Sequence, residues 1–513
     1  MLHLVQPIRR AAAGRRPVAA ILALLTSALV SVAAHAGNGV GAWSAGTAAP
    51  WSLIPIHAVL LPDGRVLTYG TNPNGKQTGR FYYDLWDPRF GLAGGHSLLP
   101  NTTPTDLFCN AQLVLPFSGN VIMLGGDNWI ASSGSTNNRG NNDSVIFTSA
   151  GGDHLVQGAD MNRKRWYATA TTLASGDVYV QGGRDGGDQA EVRSGATGTF
   201  RPLTGFSTSD LLWYYPRNWL APDGKIFGTT GRTLYRVDPS GSGSLTLLGT
   251  TPFSGPNGVT SSEVMYAPGK ILRTGGGAFD AIQQVPGRNA SITIDINNAT
   301  PKVDVVQPMP FGLHWHTATV TADGTVVVTG GSPSNNVVAG ANNRALIWRP
   351  ATATWTIGAA TASGKARLYH STALLLPDGS ILVGGGGAPG PQTNTNAEIY
   401  YPPYLFTATG GFAARPQIVS APSGIRIGQR FTVKVNRPNA IKRMTLVRTG
   451  SVTHSFNMDQ RFIPLLFTRS SSTDDLSVAP PANLNTAPPG YYLLFAIDAE
   501  GVPSVARIVR VTG

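Results

Sequence analysis

Five side chains in this sequence of 513 residues have types that could do redox and metal chemistry: Cys109, Tyr167, Tyr369, His370 and His454. Four of them keep a nearly fixed offset from a recurring glycine. Cys109 lies ten residues before Gly119, Tyr167 nine before Gly176, and Tyr369 and His370 ten and nine before Gly379. If those glycines mark equivalent points of a structural repeat, residues 58 to 260 apart in sequence gather at one mouth of a common axis. His454, in VTHSFNMDQR, would reach the same place from the C-terminal part of the chain. Two phenols, two imidazoles and a thiol around one point make a donor set of nitrogen and oxygen that suits Cu(II). Cu(II) accepts one electron, whereas oxidising an alcohol to an aldehyde removes two. A redox-active tyrosine beside the ion would take the second. A thioether bond between Cys109 and Tyr167 would lower the oxidation potential of that phenol, hold its ring and explain why the chain keeps a single thiol.

Each residue alone is ordinary. A tyrosine in a strand is usually packing, a histidine is more often a satisfied polar residue than a ligand, and a cysteine is often a small buried apolar group. The ordered set is what points to a copper site. Tyr369 and His370 are neighbours, so on a regular strand they would face opposite ways. Both reach one centre only where the backbone is irregular.

The elements that must position these residues are read from a repeat. A run of strand formers preceded by Gly-x-Val/Ile and closed by a second glycine occurs at 64–70 (GRVLTYG), 119–125 (GNVIMLG), 176–182 (GDVYVQG), 224–231 (GKIFGTTG), 269–275 (GKILRTG), 324–330 (GTVVVTG) and 379–384 (GSILVG). The first glycines are 55, 57, 48, 45, 55 and 55 residues apart. Each copy reads as a β-hairpin, with the turn glycine free to take positive φ and branched residues making the strand. Pieces such as 80–86 and 345–348 supply further strands, so about four fit in each unit, and a period near 50 is the kelch spacing. Arranged radially, such sheets bury both faces and protect their edges. The expected fold is therefore all-β: a seven-bladed kelch-type β-propeller over residues 40–405. From 415 to 513, short alternating strands (RFTVKV, MTLVR, YYLLFAI, ARIVRV) suit a β-sandwich of immunoglobulin-like size.

Composition narrows the class. The chain is 42% hydrophobic and 13% charged, which excludes a disordered or mucin-like protein. Its 62 glycines follow no G-X-Y period, which excludes collagen. No apolar run long enough for a membrane span follows residue 40, so the mature chain has no integral span. Residues 1–36 read as an export signal: Arg9, Arg10, Arg15 and Arg16, an apolar stretch from 18 to 33, and Ala34-His35-Ala36 before Gly37. The paired arginines leave the export route open between general and twin-arginine secretion. A secreted, periplasmic or cell-surface location follows. Four units of the formal charge of +12 sit in that signal. The remaining Lys and Arg are scattered, a balance that favours loose association with acidic cell-wall polysaccharide and argues against nucleic acid. A lone cysteine excludes an internal disulfide framework.

The wording of four separated segments resembles the copper-radical oxidases. These are the FC at Phe108–Cys109, the RWY at Arg165–Tyr167, Tyr369-His370 in RLYHSTALLLPDGSILVGGG, and the THS at Thr453–Ser455. The resemblance runs from about residue 50 to the end, and is nearer to glyoxal oxidase than to galactose oxidase. It implies that Cys109 and Tyr167 form a cross-linked radical cofactor and that one copper ion per chain is held by Tyr167, His370 and His454, with Tyr369 axial. It implies too that Tyr369 takes the substrate's hydroxyl proton, that Tyr167 accepts a hydrogen atom from the carbon, and that O2 leaves as hydrogen peroxide. The implied substrates are small alcohols or aldehydes, and a monomer is expected. The first repeat begins too close to the signal to leave room for galactose oxidase's N-terminal sugar-binding domain.

Galactose oxidase carries a tryptophan stacked on its cross-linked tyrosine. Here no tryptophan follows soon after Tyr167, and Trp213, Trp219 or Trp315 is left to take its place from another repeat. His314 and His316 share a strand face, and channel lining or a substrate contact is the expectation for them. The glycine run at 384–387 ends a strand and opens no helix, so a dinucleotide site is excluded. The competing function is a non-enzymatic kelch propeller that binds polysaccharide or protein, which would make the Cys, Tyr and His set a coincidence. A hydrolase ranks last, because few carboxylates recur near the strand starts.

Overall fold

The computed structural model describes residues 39–79, 82–130, 135–252, 259–278, 285–470, 473 and 475–513. The proposed export signal lies outside the described residues. Apart from three short 3-10 turns, Pro88–Phe90, Pro403–Leu405 and Pro438–Ala440, the regular structure among the described residues is all β.

Groups of consecutive antiparallel strands recur at the repeat glycines. Their first strands are His57–Leu60, Ala111–Val114, Trp166–Thr172, Arg217–Leu220, Ser262–Ala267, His314–Val320 and Ser371–Leu375. Burial explains the order. Every residue of the first strands is buried except at the end of Ser262–Ala267, whereas fourth strands such as His96–Pro100, Ser244–Thr250 and Lys302–Val306 are mostly half-buried or exposed. The run of Val, Ile, Leu and Ala after each repeat glycine therefore packs between neighbouring sheets, and the later strands carry the polar alternation of a surface. The group at Ser371–Leu375, Ile381–Gly385 and Asn396–Tyr401 is completed by the chain's start: Ala42 pairs with Tyr401 and Trp43 with Tyr400. That pairing covers a sheet edge which would otherwise be open.

Downstream of residue 415, two sheets share one core. Ile418–Ser420, Phe431–Val435, Asp475–Val478 and Phe467–Arg469 form one; Ile441–Arg448, Gly490–Asp498, Arg507–Thr512 and Gly424–Arg426 belong to the other. Val433, Leu476 and Val478 of the first meet Leu446, Leu494 and Val509 of the second.

The feature that matters for the site is a hairpin that leaves this region. Strand Phe456–Leu465 pairs with Ile441–Arg448 through its C-terminal half (Val447↔Phe462). Near its start it runs parallel to Ser262–Ala267 (Glu263↔Phe456). Its partner Ser451–Thr453 lies antiparallel to His57–Leu60 (His57↔Thr453). The hairpin thus wedges between the first strands of two repeat groups. Its tip is a two-residue turn, Thr453↔Phe456, with His454 at φ 47° and Ser455 at φ 63°. Two successive positive φ values are the mark of a type I′ turn, normally the province of Asn-Gly.

Candidate metal centre

Left-handed backbone recurs where the candidate residues sit. Cys109 (φ 58°), Tyr167 (φ 71°), His370 (φ 67°) and His454 (φ 47°) are all non-glycine residues in that region. Holding an L-residue there costs about 1–2 kcal/mol each. The surroundings fix it. Tyr167 is flanked by ladder pairs Trp166↔Arg184 and Ala168↔Gly182 but stands out of the ladder itself. Its amide donates instead to the Cys109 carbonyl (3.0 Å), and its carbonyl accepts from the Tyr215 amide (2.8 Å). The irregular backbone that Tyr369 and His370 require is present at His370. The two rings stack at 3.7 Å and 26° rather than facing opposite ways.

The five side chains converge and are buried. Cys109 Sγ lies 3.5 Å from His370 Nε2 and 3.4 Å from His454 Nε2, and these three ligand atoms all lie within 4.8 Å of one another. The hydroxyls of Tyr167 and Tyr369 are 2.7 Å apart. The Tyr167 and Tyr369 rings lie 5.2 and 5.4 Å from that of His454, and the two imidazoles meet edge to face at 4.5 Å and 87°.

The hydrogen bonds orient both imidazoles. With its proton on the Ile56 carbonyl (3.0 Å), the Thr453 hydroxyl accepts from His454 Nδ1–H (2.6 Å). His370 Nδ1 faces the Gly387 carbonyl at 2.7 Å and can only donate to it. Both Nε2 atoms therefore present bare lone pairs to the centre. An Nδ1–H held by an outer partner is the arrangement of metal-ligating histidines. Burial keeps both rings neutral, lowering His370 to about 3 from 6.5 and His454 well below its ordinary value. Burial also pushes Cys109, Tyr167 and Tyr369 well above theirs. Two bare nitrogens, two phenols and a thiol, with no carboxylate among them, hold few protons for many lone pairs. A divalent cation relieves that imbalance, and nitrogen with phenolate oxygen suits copper. The residues fit the group.

Several contacts were not legible in the sequence. Among the described residues, no tryptophan stacks flat on Tyr167. Tyr214 does so, at 4.5 Å and 25°; Trp166 packs tilted at 4.3 Å, and Trp213 stands at 6.0 Å. Of the other two expected substitutes, Trp315 lies against Tyr369 at 4.6 Å, and Trp219 packs on Phe456. Two buried ion pairs brace the tyrosine strands. Arg165, two residues before Tyr167, bonds Glu191 at 2.9 Å and the carbonyls of Gly182 and Gly186. Arg367, two residues before Tyr369, bonds Glu398 at 3.0 Å and the carbonyls of Gly385 and Asn396. The repeated Arg-x-Tyr was the available signal. Arg217, fully buried, holds the carbonyls of Tyr215, Ser261 and His454.

His314 and His316 do not join the centre. His314 bonds the Thr260 hydroxyl and the Val285 carbonyl, and His316 bonds the Thr274 hydroxyl, each at 2.9 Å. They pin neighbouring strands, and neither lines the cavity beside the centre. That cavity, of about 720 Å³, is lined by aromatic residues Phe108, Trp166, Tyr167, Trp213, Tyr214 and Tyr369, with Gln77, Asn138 and Arg184 as polar groups. No helix among the described residues is long and apolar enough to cross a membrane.

Residues 415–511 match the family model described as galactose oxidase-like, Early set domain. A galactose oxidase of Gibberella zeae is 28% identical over 514 residues, covering 92% of this chain and 71% of that protein. An aldehyde oxidase (GLOX) of Vitis pseudoreticulata is 27% identical over 395 residues, covering 69% of this chain and 73% of that one. Among solved structures, a fungal alcohol oxidase of the AA5 family in complex with copper superposes with a TM-score of 0.82 at 26% identity. It covers 92% of this chain and all of that one.

Proposed function

We infer that this chain, a relative of the galactose and aldehyde oxidases in the copper-radical oxidase family, is a copper-dependent oxidase that converts small alcohols or aldehydes to aldehydes or carboxylic acids and reduces O2 to hydrogen peroxide. The observation that carries the reading is the convergence of Tyr167, Tyr369 and two oriented imidazoles beside a buried thiol, at the floor of an accessible cavity. His370 Nε2, His454 Nε2 and the oxygens of Tyr167 and Tyr369 are the atoms that would hold copper. A copper ion held there supplies one of the two electron equivalents.

The chain's own residues do the rest. Tyr369, which lines the cavity, accepts the hydroxyl proton of the substrate as general base. Tyr167 in its one-electron-oxidised form takes a hydrogen atom from the carbinol carbon. Substrate thus gives up two electrons and two protons, and O2 takes up the same number to leave as hydrogen peroxide. A thioether between Cys109 and Tyr167 steadies the oxidised phenol, with Tyr214 stacked on its ring spreading the unpaired spin. The apolar walls exclude water from the reacting carbon and leave room for a body larger than a two-carbon aldehyde.

The recurrent four-stranded groups, their burial falling from first strand to fourth, and the pairing of residues 42–43 with 400–401 support a seven-bladed propeller over 40–405. The two sheets over one core support an immunoglobulin-like sandwich over 415–513. Export through residues 1–36 fits a product, peroxide, best released outside the cytoplasm. The test is a coupled peroxide assay of the copper-loaded protein against glyoxal, methylglyoxal, glycolaldehyde, galactose and benzyl alcohol. The reading expects copper-dependent peroxide from at least one of them, abolished in His370→Ala; peroxide from none, with copper bound, refutes it.

A further inference from the structure

The rings around Tyr167 continue along the cavity wall to the surface. Tyr214 stacks on Tyr167 at 4.5 Å, and Trp213 follows, 5.8 Å from Tyr214 and 6.0 Å from Tyr167 itself. Tyr167 and Tyr214 are buried, whereas Trp213 is 39% exposed. Trp213 also faces a second, more polar hollow of about 360 Å³, lined by Arg184, Asp185, Asp188, Thr208 and Ser209. The indole therefore lines both the substrate cavity and this outer hollow, and the outer hollow gives a second approach to it. Electron transfer between aromatic rings falls steeply with separation, so an unbroken run of touching rings conducts where a single long gap does not. Tryptophan and tyrosine are the side chains oxidised most readily by one electron, and at an exposed indole the charge is stabilised by water.

We propose that Trp213 is a surface port, and Tyr214 its link, through which external one-electron oxidants set the oxidised state of Tyr167. The proposal rests on the reading of Tyr167 as redox-active. In the step, the external oxidant gains one electron and Trp213 loses it. Tyr167 then refills Trp213, directly or through Tyr214, and becomes a phenoxyl. In the metal-free protein the Tyr167 hydroxyl proton passes along the 2.7 Å bond to Tyr369, which releases its own proton into the cavity. The net change is one electron to the oxidant and one proton to solvent.

The test uses hexachloroiridate(IV), an inert one-electron oxidant, mixed rapidly with the copper-processed and then demetallated full chain. Phenoxyl is followed by its absorbance and its electron paramagnetic resonance signal. Trp213→Phe keeps an aromatic ring in place but removes the easily oxidised indole, and Trp213→Tyr restores an oxidisable ring. Phenoxyl formation is expected to slow at least tenfold in Trp213→Phe and to recover within threefold of the parent rate in Trp213→Tyr. A role in packing alone would be rescued by phenylalanine. Equal rates in the parent and in Trp213→Phe overturn the port while leaving the oxidase reading intact. Absence of any phenoxyl in the parent overturns the oxidase reading, and the port with it.

Discussion

Replacing Thr453 by valine removes one hydroxyl at almost constant volume and tests how the centre is set. That hydroxyl donates to the Ile56 carbonyl at 3.0 Å and accepts from His454 Nδ1–H at 2.6 Å. Both partners are buried, so each is left unsatisfied at about 1–3 kcal/mol. Global stability should therefore drop by about 2–6 kcal/mol, measurable by urea unfolding. The more telling effect is on the metal. With Nδ1–H unheld, His454 is free to turn or to change tautomer, and losing such an outer partner costs about 10–100-fold in metal affinity. That is about 1.4–2.7 kcal/mol in binding free energy. The assay is competitive titration of Cu(II) against a chromophoric chelator, with Thr453→Ser as the control that keeps the hydroxyl. Near-parental affinity is expected in the serine variant. Equal copper affinity in the parent and in Thr453→Val would refute the derivation of the tautomer and its role.

Other perturbations separate chemistry from scaffold. Tyr369→Phe should keep copper bound through the remaining donors yet lose about 100-fold or more in turnover, the scale of general-base catalysis; an unimpaired rate in the peroxide assay would remove its role as base. Arg367→Met leaves the Glu398 carboxylate buried without its partner and should destabilise the fold by about 3–5 kcal/mol in urea unfolding, and a change within error would show that the pair braces nothing. Acid should weaken the metal-free protein. His57, His316 and His370 are lowered by burial to about 3 from 6.5, while Asp106 is raised by burial to about 7 from 3.8. Below pH 6.5 and above 3.8, the unfolded chain gains three imidazole protons that the folded chain refuses, and the folded chain keeps one carboxyl proton. The unfolded state binds the net excess, so stability falls with pH, by up to about 2.7 kcal/mol per unit. Burial lowers His314 and His454 too, which adds to the loss, whereas at His96 the effect of burial is outweighed by its bond to Asp84, and its raised pKa offsets part of it. Stability that rises or stays level from pH 7 to 5 would contradict the burial of neutral imidazoles.

What the sequence disclosed follows from periodicity. Glycine-initiated strands at near-constant spacing put Cys109, Tyr167 and the Tyr369–His370 pair at equivalent strand starts, so their convergence needed only the repeat. The left-handed backbone at Cys109, Tyr167, His370 and His454 left no mark on residue type, because the usual markers of positive φ, glycine and asparagine, are absent there. The entry of His454 depended on a hairpin that pairs with strands almost 200 and 400 residues upstream, and no local pattern encodes such a pairing. Tyr214 was not legible because the resemblance points to an indole, not a phenol, as the ring over Tyr167. The ring that covers Tyr167 comes from the next strand group, whose register relative to Tyr167 is set by the backbone bond from Tyr215 to Tyr167. Arg165 and Arg367 were visible as a repeated Arg-x-Tyr, but a buried guanidinium is recognisable only once Glu191 and Glu398 are seen beside it.

The proposed function requires the Cys109 sulfur and the Tyr167 ring to become one redox cofactor when copper is bound. Intact mass of the purified chain before and after aerobic copper loading tests it most directly. The expected result is a loss of two hydrogen masses together with loss of thiol alkylation, both absent in Cys109→Ala. An unchanged mass with a thiol that still alkylates after unfolding would contradict it.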